Sequence, residues 1–167
     1  PVALQEMTYA VTSWLSSYLL IKLTSYGELG MFNAAMQWNA IILFIPGILR
    51  NVVLSHLSEN NSDENKHNKI MKRTLMINFV ITAGAVFFII VFSTFFMDKI
   101  YGNSFQGISS LINIASISTI FASMSNVYAQ AYMSKNKNWL MFTLRFLRDS
   151  STLLSSFILL YYFDSNL

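Results

Sequence analysis

The sequence predicts an all-α integral membrane protein, and three observations carry that prediction: scarce charge, five long apolar segments, and no strand-like alternation. Of 167 residues, 54% are hydrophobic and 11% are charged, with a mean hydropathy of +0.47. A soluble domain carries roughly a quarter of its residues as Asp, Glu, Lys and Arg. The deficit leaves too little charge to cover a water-facing surface, so lipid must cover it. Aromatic residues make up 15% of the chain, and Tyr and Trp favour the membrane interface. The pI near 9.2 would suggest nucleic acid in a soluble protein. Here the basic residues flank apolar segments, which points to membrane orientation instead. With no Cys, disulfides and thiolate chemistry are excluded. His56 and His67 flank one polar loop without ligand spacing, so no metal or other cofactor is expected.

The apolar segments cover residues 2–23, 29–57, 70–97, 108–133 and 139–163. Each meets the length of about 20 residues needed to cross the hydrocarbon core. Membrane strands would be about half as long and would alternate. Pro46-Gly47 interrupts the second segment. Proline removes a backbone donor, so a kink is expected between Ile42 and Pro46.

Orientation follows from Lys and Arg. The loops after the second and fourth segments lie on one side, where Lys66, Lys69, Lys72, Arg73, Lys135 and Lys137 gather. On the other side Lys22 and Lys99 are balanced by Glu28 and Asp98. The positive-inside rule makes the basic side cytoplasmic, placing the start of the chain inside and its end outside. The chain begins with Pro1 and stops at Asn166-Leu167, directly after an apolar stretch. An internal piece of a longer transporter, forming a single helical bundle, is the expectation.

Polar residues at membrane depth recur at helical spacing. Ser109, Asn113, Ser116, Thr119, Ser123, Asn126 and Gln130 share one face of the fourth segment. Glu6, Tyr9, Ser13 and Ser16 or Ser17 do so in the first, Asn33 and Gln37 in the second, and Arg145, Arg148, Asp149, Thr152 and Ser156 in the fifth. Ser and Thr serve commonly as glue between membrane helices. The amides and charges fit that role less well, because an ionisable group at mid-depth costs at least ~2.5 kcal/mol and faces a cavity or a partner. Glu6 and Arg50 stand near helix ends, where an interfacial position competes with a functional one. The i, i+4 spacing of Arg145 and Asp149 suggests an internal ion pair, leaving Arg148 unpaired within its helix. Arginine suits a phosphate because its planar fork bonds two oxygens at once. No enzyme motif is present: no GxSxG, HExxH, Walker loop or carboxylate cluster.

The run from Tyr26-Gly27-Glu28-Leu29-Gly30 through Asn33 to Gln37-Trp38, then Phe44-Ile45-Pro46 and Leu54-Ser55-His56-Leu57-Ser58, resembles the Wzx-type polysaccharide flippases of the MOP superfamily. Ile100-Tyr101-Gly102-Asn103-Ser104-Phe105 is similar to the family's outer turn. Val127 to Trp139, with Gln130, Tyr132 and Lys137, is similar to its cytoplasmic hairpin. The family often has proline near the end of the second segment, where Ser55 stands here, which puts the local geometry in question.

The resemblance implies a twelve-helix fold of two lobes, with this chain covering helices seven to eleven in a bacterial inner membrane. It implies transfer of undecaprenyl-pyrophosphate-linked oligosaccharide to the outer leaflet for O-antigen or capsule-type polysaccharide, by alternating access and ion coupling. Its partners would be that lipid-linked glycan, membrane lipids and the polysaccharide polymerase machinery, with no nucleic acid. On this reading Arg145, Arg148 and Arg50 neutralise the pyrophosphate. Asn33, Gln37, Asn113, Asn126 and Gln130 bond sugar hydroxyls, and Glu6 or Asp149 couples an ion. The alternatives are a MATE-like drug or metabolite antiporter, which calls for an acidic aromatic cavity, and a non-transporting membrane assembly subunit.

Overall fold

The computed structural model describes residues 2–60, 62–102, 105 and 107–164, without the side chains of residues 2, 51, 94, 97, 98, 163 and 164. Pro1, Asn103, Ser104, Asn166 and Leu167, named above, lie outside the described residues. Among those described, the chain is helical without strands, in five helices: α1 (Val2–Leu23), α2 (Tyr26–Glu59), α3 (Glu64–Tyr101), α4 (Ile108–Ser134) and α5 (Asn138–Asp164). Two helices begin ahead of their apolar segments because capping residues start them. Ser25 accepts the Glu28 amide at 3.2 Å before α2, the Ser-x-x-Glu spacing of a capping box. Asp63 accepts the Lys66 amide at 3.0 Å before α3, and the Lys66 ammonium lies 3.2 Å from its other oxygen. The Lys66 amide bond, aided by that ammonium, holds the Asp63 carboxyl below the usual carboxylate range.

Helix α2 stays helical through Pro46 and Ser55 to Glu59. Ser55 donates instead to Glu59 Oε1, one turn on, at 3.2 Å. Among the described residues, three helices are long and apolar enough to cross a membrane: α2, α3 over Glu64–Ser93, and α4. In α1, Gln5, Glu6 and several hydroxyls lower the hydropathy; in α5, Arg145, Arg148 and Asp149 do so.

The chain divides into two compact units, residues up to Gly30 with those from Lys137 onward, and Met31–Asn136. In the first, α1 packs on α5. Gln5 Nε2 reaches the Asn138 carbonyl at 3.4 Å, and farther along Thr12 and Leu15 flank the same groove as Ser150 and Leu153. Both helices therefore advance in the same direction, so they are parallel. The polar stripe expected on α1 is turned by about one residue: Gln5, Thr8, Thr12 and Leu15 face α5, while Tyr9 and Ser13 are uncovered.

In the second unit α3 and α4 pack along most of their length. Two hydrogen bonds fix them antiparallel. Ser93 Oγ donates to Asn113 Oδ1 at 2.6 Å near one end, and His67 Nε2 meets Ser134 Oγ at 3.1 Å near the other. Ser134 donates its own proton to the Ala131 carbonyl, so the His67 Nε2–H is the donor of that contact. Between them Val86, Ile89, Ile108 and Ile112 form an apolar core that Ala34, Ala35 and Ile42 of α2 complete. Trp38 Nε1 donates to Tyr101 Oη at 3.1 Å, tying α2 to the end of α3. Gly102 and Gly107 take φ values of 72° and 84° at the turn into α4, a region glycine enters without a Cβ clash.

Candidate functional site

The alternation along α4 determines what faces inward. Ile108, Ile112, Ser116, Thr119, Ser123, Val127, Gln130 and Ser134 are its covered stripe, spaced by three and four as one helix face requires. On α3 the covered residues are His67, Asn78, Thr82, Val86, Ile89 and Ser93. Where Asn78 lies against Ser123, Val127 and Gln130, α2 adds Pro46, Arg50 and Val53, and a narrow crevice opens with Asn126 at its wall. Its cavity volume is about 10 Å³, the space of a single water molecule.

The chemistry of this crevice is concentrated in its amides. Gln130 is 2% exposed and Asn78 is 4% exposed. Both side-chain atoms of Gln130 and the Oδ1 of Asn78 have no hydrogen-bond partner. A buried amide atom left unpaired costs about 1–3 kcal/mol, so such groups in native proteins are met by a partner. Arg50 is half-buried beside them. Pro46 brings no N–H, which frees the Ile42 carbonyl one turn back. The site thus offers one cation, unsatisfied neutral donors and acceptors, and no carboxylate among its lining residues.

Three of the sequence-selected residues, Arg50, Asn126 and Gln130, are brought together here. Asn113 is bonded to Ser93, and Asn33 and Gln37 stand on an uncovered side of α2. Asn78 was not singled out from sequence. Its signal is the i, i+4 pair it makes with Thr82 inside an otherwise apolar run, also covered and unpartnered.

The charges of α1 and α5 are arranged differently from expectation. Arg145 reaches across to α1, where its Nη1 lies 3.8 Å from Glu6 Oε1. Arg148 is not unpaired: its Nη2 and Nε donate to Asp149 Oδ1 at 2.6 and 2.8 Å. The spacing rule considers a helix alone, whereas here α1 supplies a carboxylate for Arg145. The long Arg148 side chain then folds along the helix onto Asp149, which is 6% exposed. Beside these pairs, Leu4, Met7, Thr8, Val11, Phe146 and Leu153 help line a groove of about 390 Å³ whose only polar groups are hydroxyls.

Helices of this length and hydropathy, with a cation and amides turned inward, define a helical membrane protein with a polar interior. The family model described as polysaccharide biosynthesis protein matches residues 2–110. The chain belongs to that family, which includes the Wzx-type flippases. No curated protein and no solved structure matches the chain.

Proposed function

We propose that the protein flips a polyprenyl-pyrophosphate-linked oligosaccharide across a bacterial inner membrane, as part of surface polysaccharide assembly. The observation that carries this reading is the crevice of the second unit, in a chain of the polysaccharide biosynthesis family. An arginine next to buried amides suits a ligand that is part phosphate and part sugar. A cation exporter of the antiporter type would need acidic groups instead, and the crevice is lined by none.

In this proposal the chain crosses the membrane five times within one bundle, as helices seven to eleven of twelve, with its start cytoplasmic. The parallel run of α1 and α5 and the antiparallel run of α3 and α4 support that count, because odd-numbered crossings share a direction. Arg50 binds the pyrophosphate, and Asn126 and Gln130 bond sugar hydroxyls. Asn33, Gln37 and Asn113 extend the sugar path. Arg145 and Arg148 are secondary phosphate contacts held in reserve by their acidic partners, and Glu6 and Asp149 are the ion-coupling groups. The protein performs no covalent chemistry and needs no cofactor; its partners are the lipid-linked glycan, membrane lipids and the polymerase machinery.

The test is transbilayer movement in vesicles carrying the full-length protein, with N-acetylglucosamine linked by pyrophosphate to a polyprenol as probe. Protein-dependent exposure of the sugar on the opposite leaflet is the result expected. Movement no faster than in protein-free vesicles would overturn the reading.

A further inference from the structure

The crevice has a donor and acceptor pattern that discriminates between the two halves of such a ligand. Three buried atoms await partners: the carbonyl oxygens of Asn78 and Gln130, which accept, and the Gln130 amide nitrogen, which donates. A group that meets them must bring both an O–H and an acceptor lone pair. A hydroxyl brings both: it donates its one proton to a carbonyl oxygen, or shares it between the two, and accepts from the Gln130 nitrogen. A phosphoryl oxygen only accepts, so it would meet the nitrogen alone and set its charge against two carbonyl dipoles. With space for about one oxygen atom, a ring or a whole phosphate cannot enter, whereas a single hydroxyl projecting from a sugar can.

We infer that Asn78 of α3 and Gln130 of α4 form a subsite for one neutral carbohydrate hydroxyl, distinct in its preference from the cation Arg50 at the same crevice. This rests on the flippase reading and sharpens it. The sugar inserts its hydroxyl between α3 and α4, while the phosphates stay with Arg50. Asn78 becomes a specificity-determining residue, because a carbohydrate lacking a hydroxyl at the right position leaves the Gln130 nitrogen and the carbonyl oxygen facing it without a partner. That kind of mismatch gives strong rejection in a polar pocket. His67 with Ser134 and Ser93 with Asn113 hold α3 and α4 in register on either side of the subsite, so the two amides stay opposed.

The experiment uses the full-length protein in lipid nanodiscs and two probes: polyprenyl pyrophosphate bearing N-acetylglucosamine, and the same polyprenyl pyrophosphate without sugar. Affinities are measured for the unaltered protein, Gln130→Met and Asn78→Leu, with thermal midpoints to establish that each variant is folded. Two variants on different helices keep the test open if one of them fails to fold. The unaltered protein binds the sugar-bearing probe more tightly, and each folded variant weakens that binding about tenfold while leaving the sugar-free probe within about twofold. Equal loss for both probes would make the crevice an oxyanion site and overturn the inference. No loss for either would make the amides structural, with the same consequence. Equal affinity of the unaltered protein for both probes would sink the subsite and spare the flippase reading. Failure to bind either probe would sink both.

Discussion

The α1 and α5 unit and the unit of α2, α3 and α4 both hold polar groups in an apolar chain, and they satisfy them by opposite means. In the first, every cation named by its spacing has found an anion: Arg145 meets Glu6, and Arg148 meets Asp149. In the second, the buried amides of Asn78 and Gln130 have unmatched atoms, and no ion pair among the described residues holds Arg50. A group already neutralised by its neighbour has less to gain from a ligand than one whose bonding capacity is unspent. Formal charge alone would direct attention to α5, where the arginines are most numerous. Unspent bonding capacity directs it to the crevice.

Changes that break this contrast differ in size. The largest effect on folding is expected in the second unit. Ile112→Ala removes a fully covered side chain between α3 and α4 and should cost about 2–4 kcal/mol, read from unfolding of the full-length protein in detergent. A cost below about 1 kcal/mol would show that the α3 and α4 seam does not carry the unit's stability.

The pairs of the first unit should count for less. The Glu6 and Arg145 side chains are 62% and 18% exposed, with 3.8 Å between their charged atoms. A double-mutant cycle with Glu6→Gln and Arg145→Met should give a coupling under about 1 kcal/mol. A coupling of several kcal/mol would make that pair a buried fastener and weaken the contrast between the units.

The smallest effect concerns the start of α3. Because the Asp63 carboxyl lies below its usual range when the Lys66 amide caps it, the ionised form is favoured by folding. The stability it gives is present above the unfolded carboxyl pKa and is lost as pH falls through the folded one. Exchange of the Lys66 amide should therefore gain protection as pH rises through that acidic window, after correction for intrinsic exchange. Asp63→Asn should flatten the profile. A profile unchanged by that substitution would remove the carboxylate from the cap.

Much of the helical framework was legible from segment length, because a span of membrane fixes how many apolar residues must follow one another. The α4 stripe was legible too: Ser116, Thr119, Ser123 and Gln130 announce their common face through spacing alone, and all are covered. The starts of α2 and α3 were less so, since Ser25 and Asp63 act through capping bonds that hydropathy does not register. Asn78 was hidden for another reason. One amide in an apolar run acquires meaning only when α4 sets Gln130 against it, and that register depends on contacts distant in sequence. The contact of Arg145 with Glu6 was hidden for the same cause, because Glu6 stands on α1, across nearly the whole chain.

Arg50→Ala beside Arg148→Ala decides whether the crevice arginine outweighs the paired arginines of α5. Both would be placed in the full-length gene and scored for surface polysaccharide at matched membrane expression. Arg50→Ala is predicted to lower surface glycan at least about tenfold, on the order of the loss expected when a charge-assisted phosphate contact is removed, with lipid-linked precursor accumulating inside. Arg148→Ala should retain most of the glycan. Normal glycan with Arg50→Ala and loss with Arg148→Ala would return the substrate path to α5.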